Sequence, residues 1–136
     1  MEYKFLRYTL EGGVATITLN RPEVYNALND GITYELQDVL KVVGKEDRVR
    51  VLVLTGEGKA FCSGQDLKDS STQKGRSFKE SLDKRYNPII RAMVNLPKPI
   101  ICRLNGVAAG AGCSLALACD LIIATEEATL IEVFIN

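Results

Sequence analysis

Residues 96–125, LPKPIICRLNGVAAGAGCSLALACDLIIAT, decide the fold class. A Pro-bounded apolar run at 100–104 reads as a strand running into a glycine turn. Residues 106–119 then pass from a Gly/Ala-rich turn into a helix of small residues, and 120–125 (DLIIAT) read as another buried strand. Strands that are apolar throughout need cover on both faces, and parallel strands are joined only by crossovers, usually helical. Strand, glycine turn and helix in succession therefore indicate an α/β domain.

The same unit occurs upstream. Residues 49–55 (VRVLVLT) predict a strand buried on both faces, followed by a long polar, Gly/Ser-rich stretch, GEGKAFCSGQDLKDSSTQKGRS, at 56–77. Ser77 and Glu80 form an S-x-x-E capping box for a helix with Phe78, Leu82, Ile89, Ile90 and Met93 on its apolar face, and Pro88 predicts a kink or break in it. At the N-terminus, two β-rich runs (3–10 and 14–19) flank Glu11-Gly12-Gly13 as a hairpin. The loop NRPEVYNALN follows, then a helix from Asp30 whose apolar face is Ile32, Leu36, Val39, Leu40 and Val43, ended by Gly44. A last extended run, TLIEVFI, spans 129–135. Repetition of the unit predicts stacked turns with the glycine turns gathered at one end. Apolar residues so close to position 136 read as a chain cut within a domain.

At 136 residues, the chain has material for one domain. Hydrophobic residues make up 46% and charged ones 25%, so a packed core is within reach. Seventeen basic residues balance seventeen acidic ones, which leaves no basic field for nucleic acid or an anionic membrane. No apolar run reaches the ~18 residues of a membrane span, and MEYKFLRYTLEGG is no signal peptide. There is no histidine, which removes Ser-His-Asp and Cys-His catalysis and any His-ligated zinc. Cys62, Cys102, Cys113 and Cys119 contain no C-x-x-C pair and read as buried reduced thiols, neither a disulfide framework nor a metal site. A reducing cytoplasm is the expected location.

Two segments can present backbone N–H groups to a ligand. In AFCSGQDL (60–67), Gly64 permits a sharp turn that frees the amide of Gln65; in GAGCS (110–114), the amides of Ala111 and Gly112 open a helix. Residue types alone allow two readings and favour the first: close packing of helix on sheet, or a pair of donors for one oxyanion. Phosphate motifs fail, because Cys113 stands where a P-loop has lysine and Leu115 where a dinucleotide fingerprint has its third glycine.

As a set, LNRPEVYNALN, VLVLTGEGKAFCSGQDL and LPKPIICRLNGVAAGAGCSLALACDLIIAT strongly resemble the crotonase (enoyl-CoA hydratase/isomerase) superfamily. The resemblance covers nearly the whole chain but only about the N-terminal half of a usual member. It implies a crotonase-like spiral of ββα units truncated before the C-terminal helical region, with residues 1–136 forming the N-terminal part of one domain. It also implies an acyl-CoA thioester as substrate, no cofactor beyond that coenzyme A, and assembly as a trimer or hexamer. By position, Gln65 and Ala111 are the oxyanion-hole donors. Asn26, Ala27 and Leu28 flank the pantetheine and phosphate arm, and Ser63, Asp66 and Leu67 offer backbone groups to the adenine, with Lys59 and Lys68 near the CoA phosphates. Gly110 belongs to the donor turn. Hydratases carry two glutamates where this chain has Ser114 and Phe134; Ser114 then reads first as a plain serine at a helix N-terminus, with orienting water or substrate as the alternative, and Phe134 as lining the acyl pocket.

FCSGQDL, YNPII and NGVAAGAGCSLAL are most similar to the ring 1,2-epoxyphenylacetyl-CoA isomerase branch, whose single acid is supplied beyond residue 136. The expectation is therefore an enoyl-CoA isomerase of phenylacetate or fatty-acid degradation, inactive as this piece alone. An enoyl-CoA hydratase and a non-catalytic acyl-CoA-binding fragment are the alternatives.

Overall fold

The computed structural model describes residues 2–66 and 82–132, with side chains from Lys84 onward in the second stretch. The capping box at Ser77 and Glu80, together with Leu67, Lys68 and Phe134, lies outside the described residues.

Gly12 and Gly13 both hold positive φ, 57° and 81°, as a two-residue hairpin turn matched to strand twist requires. Around them β1 (Leu6–Glu11) and β2 (Val14–Leu19) pair antiparallel, from Leu6 opposite Leu19 to Glu11 opposite Val14. The loop that follows contains one 3-10 turn, Pro22–Val24, and ends at Asn29, whose side-chain oxygen accepts the Ile32 N–H at 2.9 Å. That cap opens α1 (Asp30–Lys45). All five apolar positions expected on its inner face are buried, each worth roughly 1.5–3 kcal/mol relative to exposure. At the far end Lys98 Nζ donates to the carbonyls of Val43 and Glu46, both at 2.6 Å, adding a charged donor to acceptors that also take the Glu46 and Val49 N–H groups.

After α1 come β3 (Val51–Gly56) and β4 (Ala60–Cys62). A five-residue wide turn, Leu82–Tyr86, leads into α2 (Asn87–Asn95). Next are β5 (Ile100–Leu104), β6 (Val107–Ala109), α3 (Ala111–Leu117), β7 (Leu121–Ala124) and β8 (Thr129–Ile131). The strands sort into two sheets: one of five in the order β1-β2-β3-β5-β7, parallel from β2 onward, and one of three, parallel, in the order β4-β6-β8. From β3 on, each turn of chain lays one strand on each sheet before crossing back, which is the expected spiral.

Three expectations need correction. β4 and β6 fall where loop or turn was read: three residues between glycines are too short to show a period. At Pro88, by contrast, the expected break is present: the wide turn Leu82–Tyr86 ends and Pro88 sits in the first turn of α2, where its missing N–H costs nothing. Most of all, β7 forms in register with β5, yet all four of its residues are exposed and not buried. It is the last strand of its sheet, and among the described residues nothing packs over it. β3, expected to be covered on both faces, buries Leu52, Leu54 and Thr55 and leaves Val51 and Val53 half-covered.

Candidate functional site

The short sheet brings the two donor segments together. β4 and β6 are parallel neighbours, so the residues following each emerge at the same end of the sheet. Gly64 follows β4 with φ +106°, and a Cβ there would stand 2.9 Å from the Ala109 carbonyl oxygen and 3.7 Å from the Ala111 amide nitrogen. Gly112, in α3, lies so close to β4 that a Cβ would meet the Cys62 carbonyl oxygen at 2.2 Å. Real Cβ atoms essentially never approach backbone so closely. The two turns are thus locked against each other by missing side chains. Close packing, one of the two readings left open by residue types alone, is what these distances show.

Backbone pairing orients the Gln65 amide. Leu28 N–H donates to the Gly64 carbonyl (2.7 Å), and the Leu28 carbonyl accepts the Asp66 N–H (2.9 Å). In a parallel bridge of this kind the intervening residue, Gln65, turns its own N–H to the opposite edge. Ala111 is the first residue of α3, so its N–H has no partner inside the helix. Among the described residues no backbone acceptor outside regular elements engages either amide. Gly110, buried with φ 55°, donates to the Ile131 carbonyl at 3.1 Å and so ties the donor turn to β8.

The loop before α1 is the brace. Asn26 is fully buried in the left-handed region, φ 59°. Its side-chain amide donates to the carbonyls of Glu57 (3.0 Å) and Ala60 (2.9 Å), and its side-chain oxygen accepts the Arg21 N–H (2.8 Å). Arg21 also donates to the Ala27 carbonyl and pairs with Asp66 at 3.2 Å, both side chains being 14% exposed. The Asn26 side chain is therefore committed to the fold, and Ala27 and Leu28 are buried. Ser63 donates its N–H to Tyr25 and its hydroxyl to Val24, so contacts from Ser63 and Asp66 to a ligand fall to atoms other than their N–H groups.

Ser114 is exposed on α3, three residues beyond Ala111. Lys59 is exposed as well; Asp120 accepts the Ile100 N–H at 2.7 Å, a strand-starting contact. Two charged residues the sequence reading passed over organise the loop: Arg21 and the fully buried Arg85. Their signal was available for Arg85, which falls at helical spacing from Leu82, Ile89 and Met93, on an otherwise apolar face.

All four cysteines are free, with Cys62, Cys102 and Cys113 buried and Cys119 half-buried. Burial pushes the Cys62 thiol up to about 12, and burial together with the carboxylate of Glu132 raises Cys113 to about 11. Cys119 is raised as well, by its hydrogen bond with Cys102 and by burial. Thiols held protonated are poor nucleophiles and poor metal ligands. Among the described residues no group of His, Cys, Asp and Glu gathers as a metal site, and no helix is long and apolar enough to cross a membrane.

Comparison with known proteins matches this geometry to a family. The enoyl-CoA hydratase/isomerase family model matches residues 9–136. The 1,2-epoxyphenylacetyl-CoA isomerase of Escherichia coli K12 is 45% identical over 134 residues, covering 96% of this chain and 51% of its own length. Among solved structures, an enoyl-CoA hydratase/isomerase of Xanthobacter autotrophicus Py2 superimposes with a TM-score of 0.87 at 35% identity (95% of this chain, 49% of that one). An enoyl-CoA hydratase of Mycobacterium smegmatis gives 0.84 at 37% (93% and 50%). The chain spans about half the length of the relatives it matches. With the family model running through residues 9–136 and the spiral architecture shared, this chain belongs to the enoyl-CoA hydratase/isomerase family.

Proposed function

We propose that the protein is an acyl-CoA isomerase of the enoyl-CoA type, in which the amides of Gln65 and Ala111 polarise the thioester carbonyl. A base removes a proton from the carbon beside that carbonyl, the electron pair moves onto the oxygen, and reprotonation at another carbon shifts the double bond. No atom is gained or lost overall. Carbon acids of this kind are weak, so stabilising the oxyanion is the main demand, and each well-placed donor is worth roughly 3–4 kcal/mol. The observation that supports the reading is the close meeting of the turns after β4 and β6, where a Cβ on Gly64 would stand 3.7 Å from the Ala111 amide nitrogen.

Isomerisation is favoured over hydration because the position three beyond Ala111 holds Ser114, an exposed hydroxyl and no carboxylate, so a two-carboxylate arrangement for activating water is incomplete. The proton-handling carboxylate belongs, in this proposal, to sequence beyond residue 136. The 136-residue chain then binds a thioester without turning it over. Coenzyme A enters as part of the substrate, and the free thiols suit a reducing, cytoplasmic setting. Exposed Leu121 and Ile123 suit a longer chain assembled as a trimer or hexamer. Phenylacetate or fatty-acid degradation is the proposed pathway class.

The test is to supply a 3-enoyl-CoA to the 136-residue chain and to a full-length form. Appearance of the conjugated 2-enoyl-CoA with the full-length form alone is the expected result. Formation of a 3-hydroxyacyl-CoA would establish hydration instead; binding without any turnover by the full-length form would establish a binding module; turnover by the short chain would overturn the placement of the base.

A further inference from the structure

Arg85 is the largest fully buried side chain among the described residues. It lies in the wide turn Leu82–Tyr86 that precedes α2. Its Nε sits 2.9 Å from Asp30 Oδ1 at the start of α1, its Nη2 donates to the Leu28 carbonyl at 3.3 Å, and its guanidinium lies over the Tyr86 ring, 5.3 Å from the centroid. The turn itself is pinned from α1, because Gln37 Nε2 donates to the carbonyls of Lys84 (3.0 Å) and Arg85 (3.4 Å). Among the described residues neither Nε, whose contact with Asp30 is an ion pair, nor Nη1 has a hydrogen-bond partner.

A buried ion pair with an unmet donor is a poor source of stability, because desolvating the charges offsets most of their attraction. What it can supply is geometry. The carbonyl it holds is the one that accepts the Asp66 N–H, on the residue whose own N–H reaches Gly64. Leu28 is therefore gripped from both sides: by Arg85 within the core and by the Gly64–Asp66 segment at the site. We propose that Arg85 is a positioning residue for the oxyanion hole, fixing Leu28 so that the bridge to residues 64–66 aims the Gln65 amide at the thioester carbonyl. This rests on the amide-pair reading above.

The experiment uses cinnamoyl-CoA, a conjugated thioester whose absorption moves to longer wavelength when its carbonyl oxygen accepts strong hydrogen bonds. Wild-type protein is expected to bind it with a red shift. Arg85→Met is expected to retain less than a quarter of that shift while Kd changes by no more than about threefold. Arg85→Gln, which keeps a neutral donor of similar reach, is expected to recover more than half. A merely structural role would raise Kd and lower the thermal transition and the shift together, and would show no difference between the variants at equal folded fraction. Should Arg85→Met not fold, Arg85→Gln and Asp30→Asn carry the comparison, the latter expected to lose more of the shift than the former. A full shift in Arg85→Met overturns the inference alone. Wild-type binding without any shift, or no binding, overturns the amide-pair reading and this inference with it.

Discussion

At Gly64 one hydrogen atom in place of a methyl group decides whether two turns can meet. A Cβ there would press on the Ala109 carbonyl while the backbone was held at φ +106°, a conformation L side chains rarely adopt. Gly64→Ala should therefore cost about 1–3 kcal/mol of stability, measured by urea unfolding, and should lower turnover in a full-length form by roughly 100-fold or more through the displaced Gln65 amide. A folded Gly64→Ala with unaltered turnover would remove Gln65 from the mechanism. Cys62 makes a second prediction at this scale. Its thiol is raised from about 9 to about 12 in the folded chain, so the folded state holds its proton more tightly than the unfolded state. The stability this contributes is complete below about pH 9 and is lost as pH climbs from there towards 12. Urea midpoints should fall between pH 8.5 and 10.5, and Cys62→Ala, though lower at neutral pH because of the cavity it leaves, should fall less steeply.

Among the elements, α1 shows how a remote residue finishes a helix. Lys98, just before strand β5, donates to two carbonyls at the end of α1 that each also accept a backbone N–H. Lys98→Met keeps the side-chain length and removes the donors, and a loss of about 1–3 kcal/mol in thermal or urea unfolding is expected. No loss would mean that water serves those carbonyls equally well. This contact was not legible in the sequence, where Lys98 is one lysine between two prolines, whereas the helix itself was: its apolar residues recur at helical spacing over more than three turns, and every one is buried. Length explains the contrast elsewhere too. Residues 100–104 were read as a strand to the residue, while β4 and β6, at three residues each, left no pattern to read. The glycine turns were legible because glycine at a strand end has few uses; Arg85, an isolated charge on an apolar face, announced burial but not purpose. The brace through Asn26 stayed hidden because three bonds from one side chain to separate segments exist only after folding.

For the whole molecule, the core is closed on the side of α1 and α2 and open on the side of β7. Leu121 and Ile123 of β7 are 62% and 64% exposed, and Leu117 on α3 is 56% exposed. Exposed apolar surface of this kind promotes association. Ile123→Lys should reduce hydrophobic-dye binding and self-association in sedimentation experiments while shifting stability by no more than ~0.5 kcal/mol, because little packing is lost. A wild-type chain that sediments as a clean monomer with little dye bound would show that this face is not adhesive.

Because each later pass lays a strand against one already placed in both sheets, every parallel pairing looks backwards along the chain. A ribosome emitting this sequence could therefore complete the spiral coil by coil, each new layer docking on a finished surface without waiting for residues yet to be translated. The growing tip would always carry two ready edges, one per sheet, and β7 and β8 are those edges here.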